Sequence, residues 1–142
     1  MRQIKFRAWS EEDYEGRHII PRGMYQVLNL PLWTTAKMDA PLEFCVKSEP
    51  DRRYSDRNFS SYVLMQFTGL TDKNGKEIYE GDVVGLLGTS HSFEIFWDDK
   101  FGAWSLILQE HGFAPAEDHL LGNCLDDVEV IGNIYENPDL LK

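Results

Sequence analysis

Phe93-Glu94-Ile95-Phe96-Trp97-Asp98-Asp99-Lys100-Phe101-Gly102-Ala103-Trp104-Ser105-Leu106-Ile107-Leu108 is the stretch whose reading decides the fold class. Two runs rich in aromatic and branched residues flank a short polar turn that ends in glycine, which is the pattern of a β-hairpin. Alternation sets Phe93, Ile95 and Trp97 on one face, expected to be the core, and turns Phe96 and Phe101 the other way. An exposed Phe96 would mark a protein contact.

Working outward, Ser61-Tyr62-Val63-Leu64-Met65-Gln66-Phe67-Thr68 is almost continuously apolar, as expected of a strand covered on both faces. Thr71-Asp72-Lys73-Asn74-Gly75-Lys76 carries an Asn-Gly turn signal and leads through residues 77–82 into the strand Val83-Val84-Gly85-Leu86-Leu87. Downstream, Pro115 and the acids of residues 114–121 predict a short helix ended by Gly122. Val128 to Tyr135 reads as the last strand, stopped by Asn137-Pro138, with a terminal turn at residues 139–141.

At the other end, Ile4-Lys5-Phe6-Arg7-Ala8-Trp9 alternates at period two, a strand with Ile4, Phe6 and Ala8 inward. Residues 24–30 predict a second strand, whereas residues 31–60, broken by Pro31, Pro41 and Pro50, read as the least regular part. The fold class is therefore mainly β with a short helix. The expected form is a small antiparallel barrel or twisted sheet, SH3-like in size, over residues 61–142. An N-terminal strand-and-loop extension, residues 1–60, precedes it, and the two are expected to behave as one cooperative unit.

Composition narrows the function. The chain has 142 residues, 42% hydrophobic and 13% aromatic, enough to fold despite a net charge of −10. No apolar run is long enough to cross a membrane and the first residues do not resemble a signal segment, so residence in the cytoplasm is expected. Cys45 and Cys124 are far apart in sequence, as in reduced thiols rather than a zinc or redox pair. Residues 1–60 hold ten Lys and Arg against nine Asp and Glu, whereas residues 61–142 hold four against fifteen. The acidic half repels phosphate backbones, which disfavours nucleic acid as a partner; the same acidity also serves solubility.

Three stretches, in this order, carry a family resemblance: Ile4 to Trp9, then Met65-Gln66-Phe67-Thr68-Gly69-Leu70-Thr71-Asp72-Lys73-Asn74-Gly75-Lys76-Glu77-Ile78-Tyr79-Glu80-Gly81-Asp82-Val83-Val84, then Val130-Ile131-Gly132-Asn133-Ile134-Tyr135-Glu136-Asn137-Pro138. The chain resembles the YopX family of phage and prophage proteins. The resemblance implies a phage or prophage origin and a mainly β fold, and it supplies no catalytic residues. Physically, the blocks are built of turn and core residues. Gly69, Gly75, Gly81 and Gly132 are expected at backbone conformations or close contacts that a side chain would obstruct.

Motifs for chemistry fail one by one. A phosphate loop would need one residue fewer between Gly69 and Gly75, and Ser or Thr where Glu77 stands. Asp72, Asn74 and Lys76 start like a calcium loop, but a cation occupies the third ligand position. His18, His91, His111 and His119 lack metal-ligand spacing, and there is no nucleophile elbow. The expectation is a non-enzyme that uses no cofactor and no metal and acts through contacts with a host or phage protein, possible self-association included. Its acidic docking surface would comprise Asp98, Asp99, Asp126, Asp127 and Glu129, steering a basic partner. Two alternatives stand beside it. Arg52, Arg53, Tyr54, Arg57 and Phe59 interleave cations with aromatics, as in binders of single-stranded nucleic acid. The carboxylates could instead imitate nucleic-acid phosphates and so inhibit a host protein.

Overall fold

The computed structural model describes residues 4–10, 22–29, 44–48, 52–56, 62–108 and 120–142. They form ten strands and two 3₁₀ turns, divided between two compact units, Lys5–Met65 and Gln66–Lys142, the latter with Ile4.

In the first unit β1 (Phe6–Ser10), β2 (Gly23–Asn29), β3 (Phe44–Ser48) and β4 (Arg52–Asp56) each pair antiparallel with the next. Pairing runs from Arg7 opposite Gln26 to Ser10 opposite Gly23, and the β2–β3 ladder is irregular between Val27 and Asn29. Ala8, Tyr25 and Tyr62 form the core of this unit, with Val27 and Leu64 partly buried against them. The expectation for β1 holds at Ala8 but not at Ile4, which precedes the strand and is 72% exposed. Trp9 and Ser10 are buried as well, so the end of β1 is covered on both faces and alternation stops predicting burial there. Arg22 places its guanidinium 5.4 Å from the Trp9 ring, a cation–π contact. Residues 31–60 are more regular than expected, because they contain the β3–β4 hairpin. An edge strand is held by its neighbour's ladder, so the polar run Arg52–Asp56 needs no apolar alternation to form β4.

In the second unit β7 (Asp82–Leu86), β8 (Ser92–Asp98), β9 (Ala103–Ile107) and β10 (Val128–Asn133) make an antiparallel sheet of order β10-β7-β8-β9. The predicted hairpin is β8 and β9, in register with Trp97 opposite Trp104 and Asp98 opposite Ala103. Its turn closes on Gly102 at φ +60°, which suits glycine. β9 and β10 are the two margins, so the sheet is open; of the two forms expected, barrel and sheet, the protein adopts the sheet. Leu120 bridges to Ser105 along the β9 margin. Leu121–Asn123 is a 3₁₀ turn in place of the end of the expected helix, whose residues 114–119 lie outside the described ones. Pro138–Leu141 forms the second 3₁₀ turn, where a terminal turn was expected.

The core of this unit is one face of the sheet, where Ile95, Leu106 and Val128 are at most 1% exposed and pack with Phe93, Ile78 and Leu121. β5 (Tyr62–Thr71) begins in the first unit and ends in the second, where it pairs with β6 (Glu77–Tyr79). Val63 is exposed, so β5 is not covered on both faces at its start.

Candidate interaction site

The turn between β5 and β6 shows what the signature residues do. Asp72 is buried, and its Oδ1 accepts the backbone N–H groups of Asn74 and Lys76, each at 2.9 Å. Its Oδ2 accepts Val130 N–H at 2.9 Å, while Lys73 N–H donates to the Val128 carbonyl at 3.0 Å. One carboxylate thus shapes a turn and caps the margin of β10, where strand amides would otherwise lack partners. Burial pushes its pKa up, but the N–H groups of Val130, Lys76 and Asn74, helped by the Lys76 charge, outweigh that and hold it below the ordinary aspartate value.

Other signature residues are engaged in the same way. Asp82 accepts Tyr79 N–H at 2.8 Å, and Asn133 Oδ1 accepts the N–H groups of Tyr135 and Glu136. Gly69, Gly75 and Gly81 all have positive φ. At Gly132 a Cβ would stand 2.6 Å from both Asn137 Oδ1 and Leu140 Cδ1, so glycine is what lets the terminal 3₁₀ turn close on β10. The side-chain oxygens of Asp72, Asp82 and Asn133 thus accept from backbone N–H groups.

The expected acidic surface is distributed rather than continuous. Asp98 is buried and accepts Lys100 N–H at 2.9 Å, a turn contact that points its carboxylate inward. Asp99, Asp126 and Asp127 are exposed. Glu129 is half-buried and paired with Lys73 at 2.6 Å. Strand register separates the two Asp pairs. Leu87 N–H bonds the Asp127 carbonyl at the end of the sheet where Gly85 faces Ser92. Asp98 lies six residues further along β8, about 20 Å away at ordinary strand rise. Of the basic aromatic segment, Arg52, Arg53 and Tyr54 fall on the β4 backbone, and Arg57 and Phe59 lie outside the described residues.

What sequence reasoning missed is a cleft at the end of the core. Trp97, expected inside, is 42% exposed, because it is the last residue of the inward-facing row and stands where the core stops. Phe96, the suspected contact, is only half-exposed. The Trp97 ring stands edge-on to Trp104, with centroids 5.1 Å apart and planes at 75°. Together they form one wall of an open cleft of about 480 Å³, whose other walls are Thr68, Gly69 and Leu70 and the 3₁₀ segment with Leu120, Gly122 and Asn123. A bulge in the β5–β6 ladder between Phe67 and Thr71 brings the first of these walls into place. Among the described residues none of the lining side chains is charged. Trp104 is 8% exposed, and its Nε1 is buried without an acceptor among the described residues, a deficit that typically costs about 1–3 kcal/mol. The available signal was the Trp97 and Trp104 pair flanking a short polar turn; alternation gave their side of the sheet but not their depth.

Among the described residues no three His, Cys, Asp or Glu side chains converge as metal ligands would, and no helix is long and apolar enough to cross a membrane. The chain is 30% identical to protein EF1440 from Enterococcus faecalis, a crystal structure aligned over 100% of both chains with a TM-score of 0.55. No curated protein matches it. The YopX protein family matches residues 5–142, and the chain belongs to that family.

Proposed function

We propose that this protein is a non-catalytic protein-interaction module, a phage or prophage accessory protein that recognises a host or phage protein through the Trp97/Trp104 cleft. The observation that carries this reading is the exposure of Trp97 beside an uncharged, open cleft. Tryptophan dominates binding energy at interfaces when it is desolvated by a partner, and here one ring is already fixed by its neighbour, so little conformational freedom is lost on contact. The acidity of residues 61–142 adds steering toward a basic partner, with Asp99, Asp126, Asp127, Glu136 and Asp139 exposed among the described residues.

The test is capture of partners by the tagged protein from bacterial cells, with and without nuclease, beside Trp97→Ala and Gly122→Phe. A nuclease-resistant partner retained by the wild type and lost by both variants supports the cleft. Recovery of nucleic acid that depends on Arg52, Arg53 and Arg57 would replace this reading with the nucleic-acid one. A DNA-binding protein lost on reversing Asp99, Asp126 and Asp127 but kept by Trp97→Ala would favour phosphate imitation.

A further inference from the structure

The chemistry of the cleft and its surroundings specifies the occupant more narrowly, on the premise that the cleft is the contact site. We infer that it takes a cationic peptide segment of the partner, with an apolar side chain between the walls and an arginine or lysine over the exposed Trp97 ring. Among the described residues the walls are uncharged and nothing lies within 4 Å of where a Cβ would stand on Gly102 or Gly122, so there is room for an apolar group. The indole face is the surface an arginine or lysine prefers. Charge agrees: residues 61–142 carry fifteen acids against four cations. Of those cations Lys73 is paired with Glu129, Lys142 with Asp139, and Lys100 lies 5.0 Å from the Phe101 ring. Asp99 is exposed on the turn that joins Trp97 to Gly102, as is Lys100.

The probes are three synthetic peptides of equal length, alternating Arg with Leu, Glu with Leu, and Arg with Ser, titrated calorimetrically into the full chain. The Arg-Leu peptide is expected to bind, to lose about tenfold in affinity on Trp97→Ala, and to weaken as salt rises from about 50 to about 500 mM. Gly122→Phe fills the cleft at a position with open space and ordinary backbone, so it is expected to melt like the wild type and to abolish binding. Asp99→Lys, on an exposed turn, keeps the fold and weakens the Arg-Leu peptide alone. Equal binding of the Glu-Leu peptide, still blocked by Gly122→Phe, would overturn the cationic specificity and leave the cleft as the contact site. Equal binding of the Arg-Ser peptide would overturn the apolar anchor. Arg-Leu binding indifferent to both Trp97→Ala and Gly122→Phe would overturn the cleft itself.

Discussion

Replacing Asp72 by alanine removes one carboxylate and strands three backbone donors, those of Asn74, Lys76 and Val130. The first two lie on an exposed turn, where water replaces the lost acceptor and each bond is worth about 0.5–1 kcal/mol. Val130 is 8% exposed, and its N–H bond to Asp72 is buried, so that donor is left dry at about 1–3 kcal/mol. The sum is about 2–5 kcal/mol. An asparagine at this position would keep an oxygen for the turn but set an amide NH₂ against the Val130 N–H, so Asp72→Asn is expected to cost about 1–3 kcal/mol. Urea unfolding followed by tryptophan fluorescence measures both, and the loss belongs to the folded state if the midpoint falls while the slope stays constant. The pH dependence supplies an independent check. Because the folded pKa lies below the unfolded one, the stabilisation is complete above the unfolded value of ~3.9 and disappears as pH falls through the folded value. The wild-type and Asp72→Ala stability curves should therefore draw together as pH falls below ~3.9. A loss under about 0.5 kcal/mol for Asp72→Ala at neutral pH would refute the capping role.

Gly132→Ala should lower stability by about 1–3 kcal/mol, because its methyl collides with Asn137 and Leu140; thermal unfolding measures it, and Leu140→Ala in the same chain should return part of the loss. Leu106→Ala, in the face of the sheet that is only 1% exposed at that position, should cost about 2–5 kcal/mol by urea titration. The Lys73 and Glu129 pair, half open to water, should show a coupling of at most about 1 kcal/mol in a double-mutant cycle, shrinking with salt.

The strands of residues 61–142 were legible because period-two patterns and turn residues are local properties. The hairpin 93–108 appears in the expected place, and its Asp98 and Gly102 act as turn chemistry demands. The missing pieces are all non-local. β4 carries a polar run and owes its existence to β3. Asp72 resembled the first ligand of a failed calcium loop, whereas its bond to Val130 spans 58 residues and has no signature within a short window. Trp97 is in phase with Phe93 and Ile95, yet burial depends on where the covering elements end, which alternation does not encode.

The misreadings of Asp72 and Trp97 bear on function together. A surface chosen by counting carboxylates includes groups that the fold has already used. Asp98 turns inward onto a backbone N–H and Glu129 is held by Lys73. Asp72 and Asp82, in the same acidic half, face inward too. Of the five acids first grouped as a docking surface, the three that remain exposed, Asp99, Asp126 and Asp127, are divided between the two ends of the sheet, which suits long-range attraction better than close recognition. Close recognition requires a shaped, desolvatable surface, and in this unit Trp97 and Trp104 provide one. Charge reversal at Asp99, Asp126 and Asp127 should accordingly slow association and leave dissociation unchanged, whereas loss of Trp97 should speed dissociation; surface-binding kinetics with the captured partner separates the two. Faster dissociation from charge reversal alone would return the docking role to the carboxylates.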